Sequence, residues 1–86
     1  MQGGTMINEL YIAKGKLADL QKSYELIEKR ADALLIQIRE QLNPINDFLE
    51  FDIDLILEMV KEFRLLQLQA REINDKINII KENYNL

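Results

Sequence analysis

The sequence predicts an all-α protein: an antiparallel two-helix coiled-coil hairpin that dimerises into a four-helix bundle. Two long segments carry apolar residues in a heptad pattern, and no segment alternates at period two as a β-strand would. The single proline, Pro44, lies between these segments, and its ring and missing N–H stop a helix before it. At 86 residues the chain has the length of one domain, which we place at residues 6–86.

The first helix is predicted at about residues 6–42, after a flexible N-terminal end at residues 1–5. Thr5 is the expected N-cap, because it precedes the first apolar residue of the heptad and its hydroxyl can accept a free backbone N–H. The a and d positions, which form the seam between paired helices, are apolar except for one glutamine. In chain order these seam residues are Met6, Leu10, Ala13, Leu17, Leu20, Tyr24, Ile27, Ala31, Leu34, Ile38 and Gln41.

The turn is predicted at residues 43–47 and the second helix at about residues 48–84. Asp47 is the expected N-cap of this helix, and Glu50 follows three residues later in capping-box spacing. Asp52 is the one charged residue at a seam position, where we expect it to lie at a frayed bundle end or to help specify the register. The seam residues of this helix are Leu49, Asp52, Ile56, Met59, Phe63, Leu66, Ala70, Ile73, Ile77, Ile80 and Tyr84.

Two helices of similar length joined by a short linker favour an antiparallel hairpin. In such a hairpin a residues face d residues, and the numbers of facing residues have a constant sum. A sum of 90 places Ile27 opposite Phe63 and pairs the two helices over their whole length, so we prefer it. A sum of 97 places Leu34 opposite Phe63 and needs a connection of about ten residues. The alternative fold is one helix kinked at Pro44 that dimerises along its length.

The composition excludes most catalytic classes. The chain has no histidine and no cysteine, which removes the imidazole base, the thiol nucleophile, the disulfide and the ordinary zinc site. We therefore expect no catalytic residues, no metal and no cofactor. Fifteen acidic and eleven scattered basic residues argue against a nucleic-acid partner. No signal peptide and no membrane span are evident, so we expect a cytoplasmic protein without a membrane partner.

The acids Asp47, Glu50, Asp52 and Asp54 have two interpretations. Clustered carboxylates are the ligands that calcium and magnesium prefer. Acids are also favoured at the start of a helix, where they complement the positive end of the dipole. Because apolar residues interrupt the run and the glycine of a calcium loop is missing, we prefer the second interpretation.

One segment combines acidic and apolar residues in the run Phe51-Asp52-Ile53-Asp54-Leu55-Ile56-Leu57, followed by Phe63-Arg64. This segment resembles the helical class of chorismate mutases. The resemblance implies a small all-helical enzyme whose dispersed arginines and lysines hold a dicarboxylate. Eleven positions beyond Arg64, where the family has a basic residue, this chain has Asp75. An enzyme of this type is therefore only a remote alternative.

Apolar residues are more numerous than the two seams can use, and 48% of the chain is hydrophobic. On one hairpin the surplus would form a sizeable exposed patch, which marks an interaction site. We therefore expect a non-catalytic protein–protein interaction or structural module that self-associates as a homodimer. The alternative is a small export or assembly chaperone, or an adaptor, that covers the helix of a client protein. The expected interface residues are Leu26, Leu35, Ile36, Leu57, Val60, Leu65, Leu68 and Ile79.

Overall fold

The protein is a rod of two long helices packed along each other as a hairpin. The computed structural model describes the backbone of residues 2–86 and the side chains of residues 8–86. Helix α1 covers Gln2–Gln41 and helix α2 covers Ile53–Tyr84, with a short 3-10 helix at Phe48–Glu50 between them. The rod measures 71 × 15 × 14 Å. The predicted all-helical hairpin is confirmed, and the alternative of one kinked helix is wrong.

The burial of side chains follows the predicted seams. Among the described side chains of α1, the buried and half-buried ones all occupy a or d positions, from Leu10 to Gln41. In α2 the same holds from Ile56 to Ile80, with one half-buried g residue in addition, Glu62. Tyr84, at the last a position, is exposed. The heptad therefore identified the contact between the helices residue by residue over most of their length.

The register between the helices follows the sum of 97, and our preference for 90 was wrong. Ile38, Phe63 and Leu66 pack against a core cluster formed by Leu34, Ile56 and Met59. In the 90 register Leu66 would lie opposite Tyr24, ten residues and about 15 Å along the helix from Leu34. In the 97 register Leu34 faces Phe63 and Ile38 faces Met59, which brings all six side chains together.

The reason for this difference lies at the start of α2, which begins at Ile53 and not near residue 48. Asp52 is its N-cap, and the Asp52 Oδ1 atom accepts the backbone N–H of Leu55 at 3.1 Å. In the 90 register Ile38 would face Asp52, so a carboxylate would lose water inside the seam at a cost in free energy. The 97 register keeps Asp52 out of the seam, where it caps the helix. The assignment of Asp52 to a d position of the seam was wrong, whereas its expected place at an end of the bundle agrees with the structure.

The connection between the helices is therefore residues 42–52, rather than the predicted turn at 43–47. Asn43 Oδ1 accepts the N–H of Ile45 at 3.0 Å and shapes the turn at the proline. Asp47 caps only the short 3-10 helix, by accepting the N–H of Leu49 at 3.2 Å. Leu49, predicted at an a position, is consequently exposed in the connection and not part of the seam.

At the other end of the rod, the 97 register places Asn85 level with Ile12, so α1 extends beyond the end of α2. Helix α1 begins at Gln2 and so includes Thr5, which we expected to precede the helix as its N-cap. The side chains of residues 1–7 lie outside those described. Helix α2 ends at Tyr84, and the left-handed backbone of its C-cap Asn85 (φ 54°) lets the N–H groups of Asn85 and Leu86 bond to the carbonyl of Lys81.

The cap at Asp52 gives a first testable result. Asp52→Ala should lower the free energy of unfolding by about 1 kcal/mol, because the N–H of Leu55 then has no side-chain acceptor. Urea denaturation followed by circular dichroism measures this loss. Asp54→Ala is the matched control, since it removes the same charge from the same helix end and no capping bond. Equal losses in the two variants would show that charge, not the cap, is what stabilises this end.

Candidate interaction surface

One ion pair distinguishes the two sides of the hairpin. In an antiparallel hairpin the e positions of both helices line one side of the seam and the g positions line the other. Arg30 and Glu62 are both g residues, and their side chains join across the seam. The Arg30 Nη2 atom lies 2.9 Å from Glu62 Oε1 and 3.1 Å from Oε2, and Nε lies 3.1 Å from Oε1. Because both side chains are about half exposed, this pair contributes little stability, but it marks the g side.

The side opposite this ion pair carries a continuous apolar strip near the connection. We call it the e face strip and define it by five exposed side chains at e or b positions. In the 97 register these residues fall within about 14 Å along the rod. They come from both helices and form a single surface. The strip consists of Leu35, Leu42, Ile53, Leu57 and Val60.

The g side is different, because its exposed apolar residues are separated by charges. Leu26 and Leu65 lie there with the Arg30–Glu62 ion pair between their helices. Ile79 lies farther along, toward the open end of the rod. The g side therefore offers isolated apolar contacts with charges among them.

The eight interface residues expected from the sequence are all exposed, but they do not form one surface. Three belong to the e face strip, and three lie on the g side. Ile36 and Leu68 occupy f positions on the outer edges of the rod, away from the seam. The sequence reasoning omitted Leu42 and Ile53, which are exposed and belong to the e face strip. Their e positions in the heptad were the signal, because e residues lie beside the seam and c and f residues do not.

Shallow grooves run between the helices toward the open end. One of about 470 Å³ is lined by apolar side chains and by Lys16, Asp19 and Lys76. Lys76 also pairs with Glu72 of its own helix at 3.6 Å. Arg64, named by the chorismate mutase resemblance, donates to Gln67 on the outer surface at 3.4 Å and lines none of the grooves described here.

Two of the acids near the connection accept hydrogen bonds from backbone N–H groups. Asp47 and Asp52 each accept an N–H at the start of a helix, which favours the helix-start interpretation over a cation site. Among the side chains of residues 8–86, no three Asp or Glu residues converge as metal ligands would. Within the same described residues, neither helix contains a stretch that is both long and apolar enough to cross a membrane.

The fold and its surface define the chain as an antiparallel two-helix hairpin with an apolar strip on one side of its connection end. Comparisons with protein-family models, with curated proteins and with solved structures find no significant match. The functional argument consequently rests on the surface itself.

Proposed function

We propose that this chain is a non-catalytic interaction module that self-associates, with two hairpins packing through apolar helix faces into a four-helix bundle. The observation that carries this proposal is the surface area. The hairpin exposes 7047 Å². A compact monomer of its 10.1 kDa mass exposes about 5,300 Å², so the excess is about 1,700 Å². A stable dimer needs only about 800 Å² from each partner.

The thin core supports the same proposal. Only five described apolar side chains are buried, while the large exposed ones include all of the e face strip. Small chains with so little buried apolar surface commonly need association for stability. Each Leu, Ile or Val of the strip that a second hairpin covered would contribute up to about 1.5–3 kcal/mol, less what it already buries. The buried residues are Ala13, Leu34, Ile56, Met59 and Ile77.

Sedimentation equilibrium of the pure protein tests the proposal. Between 1 and 100 µM, roughly the range of moderate protein affinities, we expect the mass to rise toward twice the 10.1 kDa of one chain. Equilibrium sedimentation is the appropriate measurement because it is independent of shape, whereas a 71 Å rod elutes early from a sizing column.

A monomer throughout that range would overturn the homodimer. The exposed strip would then be available to the helix of a client protein, as in the chaperone or adaptor alternative.

A further inference from the structure

We propose that a second copy of this chain covers the e face strip, with the connection ends of the two hairpins side by side. This inference rests on the proposed self-association and names its surface and orientation. The two copies are related by a two-fold axis that runs along the rod. Each α1 then packs against α2 of the other copy, and all neighbouring helices of the bundle are antiparallel.

The choice of face follows from the positions that a bundle buries. In a four-helix bundle the core is built from a and d residues together with e or g residues. Over the levels of the strip itself, the e residues of both helices are Leu35, Leu42, Ile53 and Val60, and all are apolar and exposed. The g residues at the same levels include Gln37, Leu55 and Glu62, and Glu62 pairs with Arg30 across the seam. Packing on the g side would bury charges, and packing on the e side buries apolar surface.

The orientation follows from how the e residues change along the rod. Toward the open end they become polar or charged and include Lys14, Gln21, Asn74 and Lys81. Fully overlapped antiparallel copies would cover the apolar strip with these side chains. Antiparallel copies shifted to bring the strips together would place Arg39 of one copy near Arg39 of the other. Copies with their connection ends together match strip to strip without either conflict.

Charge complementarity at the rim supports the same orientation. Asp32 of α1 and Arg64 of α2 are both b residues, and their numbers sum to 96, so they lie at almost the same level of the rod. Glu25 and Arg71 have the same relation. In the proposed dimer each of these acids lies beside an arginine of the second copy. Within the described side chains of one hairpin, none of the four forms an ion pair.

The acids in the connection oppose this arrangement only weakly. Asp47, Glu50 and Asp52 are exposed at the tip of each hairpin, outside the apolar strip. Repulsion between exposed charges is screened over about 8 Å at physiological salt. The apolar contact and the rim pairs therefore outweigh it.

A charge exchange tests the orientation directly. Asp32→Arg and Arg64→Asp should each raise the dimer dissociation constant about tenfold or more, because each places like charges together at two symmetric sites. The double variant should return the constant to within about threefold of the wild type, since the pairs are restored with reversed sign. Sedimentation equilibrium gives the constants, and circular dichroism confirms that these variants of exposed residues remain helical.

The matched control exchanges an ion pair within α2, Glu58→Lys with Lys61→Glu, which lies away from the e face. It should leave the dissociation constant unchanged. If the wild type dimerises but the single variants bind as tightly, or the double variant is not restored, this orientation is wrong and the proposed function stands. If the wild type does not self-associate at all, both the orientation and the proposed function are wrong.

Discussion

Replacing Leu34 by alanine is expected to destabilise the hairpin by about 2–5 kcal/mol, the cost of removing a buried leucine side chain. Leu34 is only 2% exposed and is the most buried side chain described. It lies in the core cluster with Ile56 and Met59, and Phe63 packs on it from α2. The rod is only two helices thick, so few other side chains can move in to fill the cavity. The loss is a large part of the stability of a small domain.

Urea denaturation at matched chain concentration measures this effect. Leu26→Ala is the control, because it makes the same chemical change at a side chain that is 60% exposed on the g side. It should cost no more than about 0.5 kcal/mol. Similar losses for the two variants would contradict the burial of Leu34 in the seam between the helices.

Lysine at both Leu42 and Val60 is expected to convert the dimer into helical monomers. Both side chains are nearly half exposed in the single hairpin, at 48% and 46%, so the hairpin itself tolerates the change. In the proposed dimer both face the second copy, and four lysines would replace apolar contacts within about 8 Å along the bundle. Loss of these contacts alone should weaken association by at least about a hundredfold. Sedimentation equilibrium and circular dichroism report the mass and the helicity.

The control for this variant is Leu26→Lys with Leu65→Lys. It adds the same charges at two g-side residues that are each 60% exposed. The proposed dimer leaves the g side uncovered, so this control should still dimerise. Dissociation of the control with survival of the Leu42/Val60 variant would place the interface on the g side instead.

The helices and their seam could be predicted from the sequence because the heptad is a local pattern. It requires only that apolar residues recur at a and d, and burial follows those positions from Leu10 to Gln41 and from Ile56 to Ile80. The register could not be predicted with the same success, because two aspartates compete to begin α2. Asp47 offers a capping-box spacing, whereas Asp52 occupies a seam position and so appeared to belong to the interior of the helix. Asp52 begins the helix because the alternative start at Asp47 would bury the carboxylate of Asp52 in the seam.

The exposed apolar surface was predicted in composition but not in arrangement. The surplus of apolar side chains was evident, and all eight residues chosen are exposed. They were chosen because they are apolar and lie outside the a and d positions, which also admits residues such as Leu65 and Leu68 on the outside of α2. A bundle covers residues beside the seam. Selecting apolar residues beside the seam adds Leu42 and Ile53, which the sequence-based set of eight omitted.

The connection at residues 42–52 means that the contact within the hairpin and the proposed contact between two copies respond differently to dilution. It ties α2 to α1, so the helices meet at an effective concentration in the millimolar range however dilute the protein is. The contact between two copies has no such tether and depends on the amount of protein present. As the protein concentration falls, the copies should separate while each hairpin stays closed. The apolar strip is then exposed to solvent. The fraction of chains that expose the strip is thus set by the concentration of the protein.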